Sequence, residues 1–221
     1  MLYLPNYEES YVDLTDKVYE TFKYVYSKYP NYDWYVKADD DTFMLIDNLR
    51  GFLKNKKPMI PVTLGMSLET TDSDDIETSY LLGGAGYVIS NMAFKLISDR
   101  LLNENGFCQN SGQEDIDVGK CFRKLSVYAE NSRDENNRER FQAFGLKVIF
   151  DGKYPSWIHN KYNCHLLKKG IEAFSDSTIS FHEMTPANMI KFYQFWKASK
   201  KHIAGKTKTF GDLVDIYLKI V

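Results

Sequence analysis

The sequence predicts an α/β fold, a sheet with flanking helices, and three observations carry that prediction. An apolar and aromatic segment, Trp34-Tyr35-Val36, runs into Asp39-Asp40-Asp41, and a helical pattern follows at once from Met44 to Leu53. A second apolar segment, Ile60 to Met66, comes after the basic turn Lys54 to Pro58. A third, Tyr80 to Ser90, is interrupted by Gly83-Gly84-Ala85-Gly86 and leads into another helical pattern. Strands alternating with helices are the mark of an α/β layer arrangement.

The first helix is expected over Leu14 to Ser27, where Val18, Phe22 and Val25 recur at helical spacing and Tyr19 and Tyr26 widen the stripe. Pro30-Asn31 breaks it before the strand that ends at Asp39. Leu45, Leu49 and Phe52 share one face of the next helix, which Gly51 weakens near its end. Pro61 favours an edge or a strand start for Ile60 to Met66. Glu69 to Glu77 is acidic and polar and predicts a solvated loop. The glycines at 83, 84 and 86 allow close backbone approach or positive φ, and their spacing is not that of a dinucleotide loop. Ser90 is placed to cap a helix over Asn91 to Leu102. Glu114 and Asp115 precede Ile116, Val118 and Phe122, as at a helix start, where the dipole favours acids. Val127 to Ala129 and Val148 to Phe150 are short strand candidates, and Ile179 to His182 reads as a strand ending in histidine. Thr185-Pro186 opens a helix with Met189, Phe192, Tyr193 and Trp196 on its apolar face. Phe210, Leu213, Val214, Tyr217 and Leu218 form a last amphipathic helix.

With 221 residues the chain is long enough for one substantial core, and its net charge of −2 argues against a nucleic-acid partner, which would call for a basic stripe. No window approaches the run of about 20 apolar residues that spans a bilayer. Cys108, Cys121 and Cys164 make an odd count, so one is unpaired or linked outside this segment.

The chemistry concentrates at the acid triplet. Like charges about 4 Å apart repel by about 1 kcal/mol in water, and by more near a protein surface. A cation offsets that repulsion. Alternate residues of an extended segment point the same way, so Asp39 and Asp41 can share a metal while Asp40 faces elsewhere. Oxygen ligands suit Mg²⁺ or Mn²⁺, and such an ion can hold a diphosphate. Glu114 and Asp115 serve equally as helix-capping acids or as a source of a general base.

Taken together, Asp33 to Thr42 with Asp47-Asn48-Leu49-Arg50, Gly83 to Val88, Glu114-Asp115 with Gly119-Lys120-Cys121, Asn131-Ser132-Arg133-Asp134, and Ser180-Phe181-His182 resemble the core 1 β-1,3-galactosyltransferase family, in order from about Asp13 to His182. The resemblance implies a GT-A-like nucleotide-diphospho-sugar transferase sheet with flanking helices. It implies galactose transfer from UDP-galactose to the 3-hydroxyl of GalNAc on Ser or Thr of glycoproteins. Asp39 and Asp41 match the acidic metal ligands and His182 the third ligand, with Mn²⁺ expected and Mg²⁺ the alternative. The family inverts at the sugar carbon, which places a base at Glu114-Asp115, with Asp115 favoured. Asp40, Lys17, Gly83 and Gly84 are expected at the donor, and Trp157 and Tyr87 at the acceptor. Cys108 and Cys121 match a family disulfide and point to the secretory lumen.

By the same resemblance, residues 1–184 form a partial catalytic domain that lacks the first α/β units, and 185–221 a C-terminal helical extension packed on it. Met1 would then begin inside the catalytic domain, after an anchor that makes the full-length form a single-pass type II membrane protein of the Golgi lumen. A folding chaperone and a homodimer are the further partners expected. The rivals are a non-catalytic lectin-like or chaperone homologue and another β-1,3-transferase, such as a fringe-like enzyme using UDP-GlcNAc. A dehalogenase-type phosphatase would need Thr where Phe43 stands, and a calcium loop would need Gly where Met44 stands.

Overall fold

The computed structural model describes residues 13–71, 77–161 and 167–221, so Cys164 lies outside the described residues. In chain order the elements are α1 (Leu14–Lys28), β1 (Trp34–Lys37), β2 (Phe43–Met44), α2 (Ile46–Leu53), β3 (Val62–Gly65), β4 (Ser67–Thr71), β5 (Glu77–Leu81), β6 (Tyr87–Ser90), α3 (Asn91–Asn103) and α4 (Glu114–Lys124). They continue with β7 (Tyr128–Glu130), β8 (Phe141–Gln142), α5 (Leu146–Asp151), α6 (Ser156–Lys161), β9 (Ser180–Phe181), α7 (Pro186–Ala204) and α8 (Phe210–Leu218). The fold is mixed α/β, and the chain divides into two compact units.

The first unit takes its described residues from Met1–Lys37, Lys57–Gly83 and Tyr87–Glu130. Its sheet has the order β1-β6-β3-β7, antiparallel except for the parallel β3–β7 pair. β6 lies inside this sheet and every residue of it is buried, which is why Tyr87 to Ile89 is an unbroken apolar run. Pro61 falls just before β3, an interior strand, so the strand start and not the edge accommodates it. α1 buries Val18 and Phe22 against Phe94 and Ile97 of α3 and Val118 and Phe122 of α4. Tyr35 stacks on Phe94 with ring centroids 3.9 Å apart. Ser90 caps α3 by accepting the Ala93 N–H.

The acidic stretch Glu69 to Glu77 departs from the expected loop. Its ends belong to the antiparallel hairpin β4–β5, registered from Ser67 opposite Leu81 to Thr71 opposite Glu77. Leu68 and Tyr80 are buried while Ser67, Glu69 and Ser79 are exposed, so polar residues on the wet face hid the strand alternation.

The second unit takes its described residues from Ala38–Lys56, Gly84–Gly86 and Asn131–Val221. Its small sheet has the order β2-β9-β8, with β2–β9 antiparallel and β8–β9 parallel. α7 and α8 cover it through Phe192, which is 1% exposed and sits 5.3 Å from Phe43, 5.2 Å from Phe181 and 5.1 Å from Tyr217, ring to ring. Thr185 caps α7 by accepting the Asn188 N–H, with Pro186 as its first residue. Tyr193, expected on the apolar face with Phe192, is 54% exposed, because consecutive helical residues point about 100° apart. Phe192→Ala is expected to destabilise the chain by about 3–5 kcal/mol, read as a lower urea midpoint at unchanged slope.

One further expectation is corrected. Val148 to Phe150 lies in α5, not a strand, and Gly152 closes that helix in the left-handed conformation (φ 67°) with its N–H on the Ile149 carbonyl. The segment that carries Trp157 forms α6. Asp134, at the end of the Asn131 to Asp134 stretch, opens a tight turn in which its carboxylate accepts the Asn136 and Arg138 N–H groups and, at 2.7 Å, the Arg138 side chain.

Candidate active site

The acid triplet lies in the turn between β1 and β2. The Thr42 N–H donates to the Asp39 carbonyl at 3.1 Å, the Asp39 N–H donates to the Thr42 hydroxyl at 3.1 Å, and that hydroxyl donates to the Gly84 carbonyl at 2.8 Å. The turn leaves Asp39 and Asp41 half-buried and Asp40 exposed. β9 pairs with β2 and delivers His182 to the same place. His182 Nε2 is 3.1 Å from Asp41 Oδ1, and one ligand atom from each of Asp39, Asp41 and His182 falls within 4.8 Å of the others.

The donor set suits a divalent cation. His182 Nδ1 is 3.2 Å from the Ala143 carbonyl, an acceptor only, so Nδ1 donates there and Nε2 faces the carboxylates, the orientation a metal-ligating histidine requires. Gly84 is a cradle for that ring, since a Cβ on it would stand 2.1 Å from His182 Cε1. Two carboxylates and an imidazole match the hard, mixed preference of Mn²⁺ or Mg²⁺.

Glu114 and Asp115 open α4 in the first unit, and their surroundings differ. Glu114 is 4% exposed, accepts the Tyr87 hydroxyl at 2.8 Å on Oε1, and meets Lys37 Nζ at 3.2 Å on Oε2. Burial pushes its carboxyl up, and Lys37 and Tyr87 oppose that rise. Asp115 is half-buried, accepts the Ile116 N–H at 2.9 Å on Oδ1, and lies 3.5 Å from the Gly83 nitrogen on Oδ2. Burial raises its carboxyl too, while the Gly83 and Ile116 N–H groups and Lys37 pull it back. Asp115 lines an open pocket with Tyr80, Tyr87, Gly119, Arg123 and Tyr128.

The remaining expected site residues are placed as follows. Tyr87 is 1% exposed, its hydroxyl donates to Glu114 and so anchors a carboxylate, and it lines the same pocket as Asp115. Trp157 is 41% exposed on α6, its ring 5.8 Å from the buried Phe144, an outward platform with a firm backing. Lys17 is half-buried near the start of α1. Gly83 faces inward, where a Cβ would stand 2.9 Å from both Glu114 Oε2 and Lys37 Nζ. Cys108 and Cys121 form a disulfide, and the loop it closes is tied to α4 through Asp117, which accepts the Ser111 N–H at 2.7 Å and hydroxyl at 2.8 Å. Asp117 also takes the Thr15 hydroxyl of α1 at 2.9 Å, so this buried acid is structural. Lys37 had no role assigned from sequence, and its only signal was a cation in an otherwise apolar strand.

A sequence model of the galactosyltransferase family matches residues 3–133. Glycoprotein-N-acetylgalactosamine 3-beta-galactosyltransferase 1 of Xenopus laevis is 32% identical over 190 residues, covering 81% of this chain and 51% of that protein. Beta-1,3-glucosyltransferase of Mus musculus is 31% identical over 95% of this chain and 36% of its own length. Chondroitin sulfate synthase 3 of Homo sapiens is 27% identical over 81% of this chain and 23% of its own length. The chain thus spans about half the length, or less, of these curated relatives. With the family pattern covering more than half of the chain, the acid triplet and α4 included, and the β-1,3-galactosyltransferase relative 32% identical over 81% of it, the chain belongs to the galactosyltransferase family, whose members are glycosyltransferases.

Proposed function

We propose that this chain carries the reaction centre of a metal-dependent inverting glycosyltransferase, moving galactose from UDP-galactose to the 3-hydroxyl of GalNAc on Ser or Thr of glycoproteins. The observation that carries the reading is the meeting of Asp39 and Asp41 with His182, residues far apart in sequence, within 4.8 Å. A divalent cation bound there supplies a Lewis acid for the diphosphate of the donor. Asp115 takes the proton of the acceptor 3-hydroxyl, whose oxygen bonds to the anomeric carbon as the bond to UDP breaks with its electron pair leaving on phosphate. Attack opposite the leaving group inverts that carbon. Glu114, with both oxygens engaged, holds the first turn of α4. Trp157 is the stacking platform for the acceptor sugar, and Asp40, Lys17, Gly83 and Gly84 serve the donor.

On this reading residues 1–184 are the partial GT-A catalytic domain and 185–221 its C-terminal extension. The full-length protein is a type II membrane protein of the Golgi lumen, with a homodimer and a folding chaperone as proposed partners. No helix among the described residues is long and apolar enough to cross a membrane. The relatives named for glucosyl transfer and chondroitin sulfate synthesis make the donor the first thing to test. Calorimetry of UDP with and without Mn²⁺ is expected to show metal-dependent binding, and a panel of UDP-Gal, UDP-GlcNAc, UDP-GalNAc and UDP-Glc is expected to favour UDP-Gal. Absence of metal-dependent UDP binding favours the lectin-like or chaperone alternative, and a UDP-GlcNAc preference the fringe-like one. Asp41→Ala is expected to abolish Mn²⁺-dependent UDP binding with little loss of stability, because it removes a repelling charge along with a ligand. Retained binding overturns the ligand assignment.

A further inference from the structure

The crowding at Gly83 shows how the first turn of α4 is held. The point where a Gly83 Cβ would sit has Lys37 Nζ and Glu114 Oε2 at 2.9 Å and Asp115 Cβ at 3.7 Å, so a cation and two acids of neighbouring residues gather on one face of a glycine. Lys37 comes from β1 and its side chain is 13% exposed, against 3% for Glu114. Its ammonium also lies 5.8 Å from the centre of the Tyr87 ring, and the Tyr87 hydroxyl takes the other Glu114 oxygen. Two strands of the sheet, β1 and β6, thus grip α4 through one carboxylate.

We propose that Lys37 is a positioning residue for the reaction: gripping Glu114 beneath Gly83, it fixes the first turn of α4 and supplies the positive charge beside Asp115. This rests on the reading of Asp115 as the proton acceptor. A base must be ionised before it accepts a proton, and Asp115 sits beside another acid in a half-buried place. Lys37 opposes both the burial and the neighbouring charge. The other groups facing Asp115 are the Gly83 N–H, Tyr80 of β5 and, along α4, Arg123 at the pocket wall. Around Glu114 they are Tyr87 of β6 and Tyr19 of α1. Lys37 is the cation that the crowding at Gly83 sets against both acids.

The test is carboxyl ¹³C NMR titration of the full chain labelled at Asp and Glu, with Asp115 assigned by Asp115→Asn. Lys37→Met is expected to raise the Asp115 midpoint by about one pH unit, and Lys37→Arg to restore it to within a few tenths of a unit. Because Lys37→Met leaves the buried Glu114 charge without the ammonium beside it, the same shift is sought between Glu114→Gln and the double variant Lys37→Met/Glu114→Gln. An Asp115 midpoint that stays put in both comparisons overturns the proposal. In the transfer assay the acidic limb of the rate profile should follow the midpoint, so that turnover below it falls about tenfold with KM for the donor unchanged. A midpoint that moves while the acidic limb does not supports the charge role of Lys37 and overturns the assignment of Asp115 as base, which separates the two failures.

Discussion

Gly84→Ala is expected to abolish Mn²⁺-dependent UDP binding although residue 84 offers no ligand atom of its own. The added methyl would stand 2.1 Å from His182 Cε1 and 2.4 Å from Nδ1, far inside contact distance, so the ring must leave. It has little freedom to do so and still ligate, because Nδ1 is held on the Ala143 carbonyl and the backbone N–H of His182 on the Gln142 carbonyl. Asp39 and Asp41 alone would then carry the site. Loss of one protein ligand from three weakens a metal site by orders of magnitude, so calorimetry should show no binding at Mn²⁺ concentrations that saturate the wild type. The Thr42 hydroxyl donates to the Gly84 backbone carbonyl, which the substitution keeps, so the acid turn itself should persist. Wild-type Mn²⁺ affinity in a folded Gly84→Ala protein would mean that His182 is not a ligand.

The second large effect separates the two acids of α4. Asp115→Asn is expected to lower turnover by about 10²- to 10⁴-fold while metal-dependent UDP binding stays intact, the signature of a lost proton acceptor. Glu114→Gln should act differently. Glu114 is buried with a hydroxyl on one oxygen and an ammonium near the other, so neutralising it destabilises the fold by about 2–3 kcal/mol. Its effect on turnover should follow from a displaced first turn of α4 and not from a missing base. Thermal unfolding run beside the transfer assay distinguishes the two, and a folded Glu114→Gln protein with the larger loss of turnover would reverse the assignment.

Much of this was readable in the sequence where a pattern is local. The stripe of α1, the Ser90 and Thr185 caps, and the acidic start of α4 are each set by residues within a turn or two, and the structure follows them. The sequence paired Asp39 with Asp41 through the alternation of extended backbone, whereas the structure brings them together in a turn closed by the Thr42 N–H on the Asp39 carbonyl. His182 was not readable from its own surroundings, and only resemblance singled it out. β2, β8 and β9 are two residues each, too short to show a period, and they exist because each pairs with chain distant in sequence. The roles of Gly84, Ala143 and Lys37 were invisible for the same reason, since each depends on which distant side chain arrives. Val148 to Phe150 misled because β-branched residues favour strands, while flanking glycines and burial of Leu146 and Ile149 decided for a helical turn.

The pairing of β2 with β9 has a kinetic corollary. Beyond the strands themselves, the Asn48 side chain of α2 donates to the carbonyl of Thr178, just before β9, across 130 residues of sequence. Closing so long a loop is entropically slow, and contacts of that span tend to form late. The two acids can be in place early, while the imidazole arrives only when the loop shuts. A cation that needs all three therefore recognises the finished state and acts as a latch on it. At about a hundredfold excess over its dissociation constant, such an ion deepens the native well by about 2.7 kcal/mol. Chelation during refolding should leave the rate of collapse untouched and make the closed loop reopen sooner.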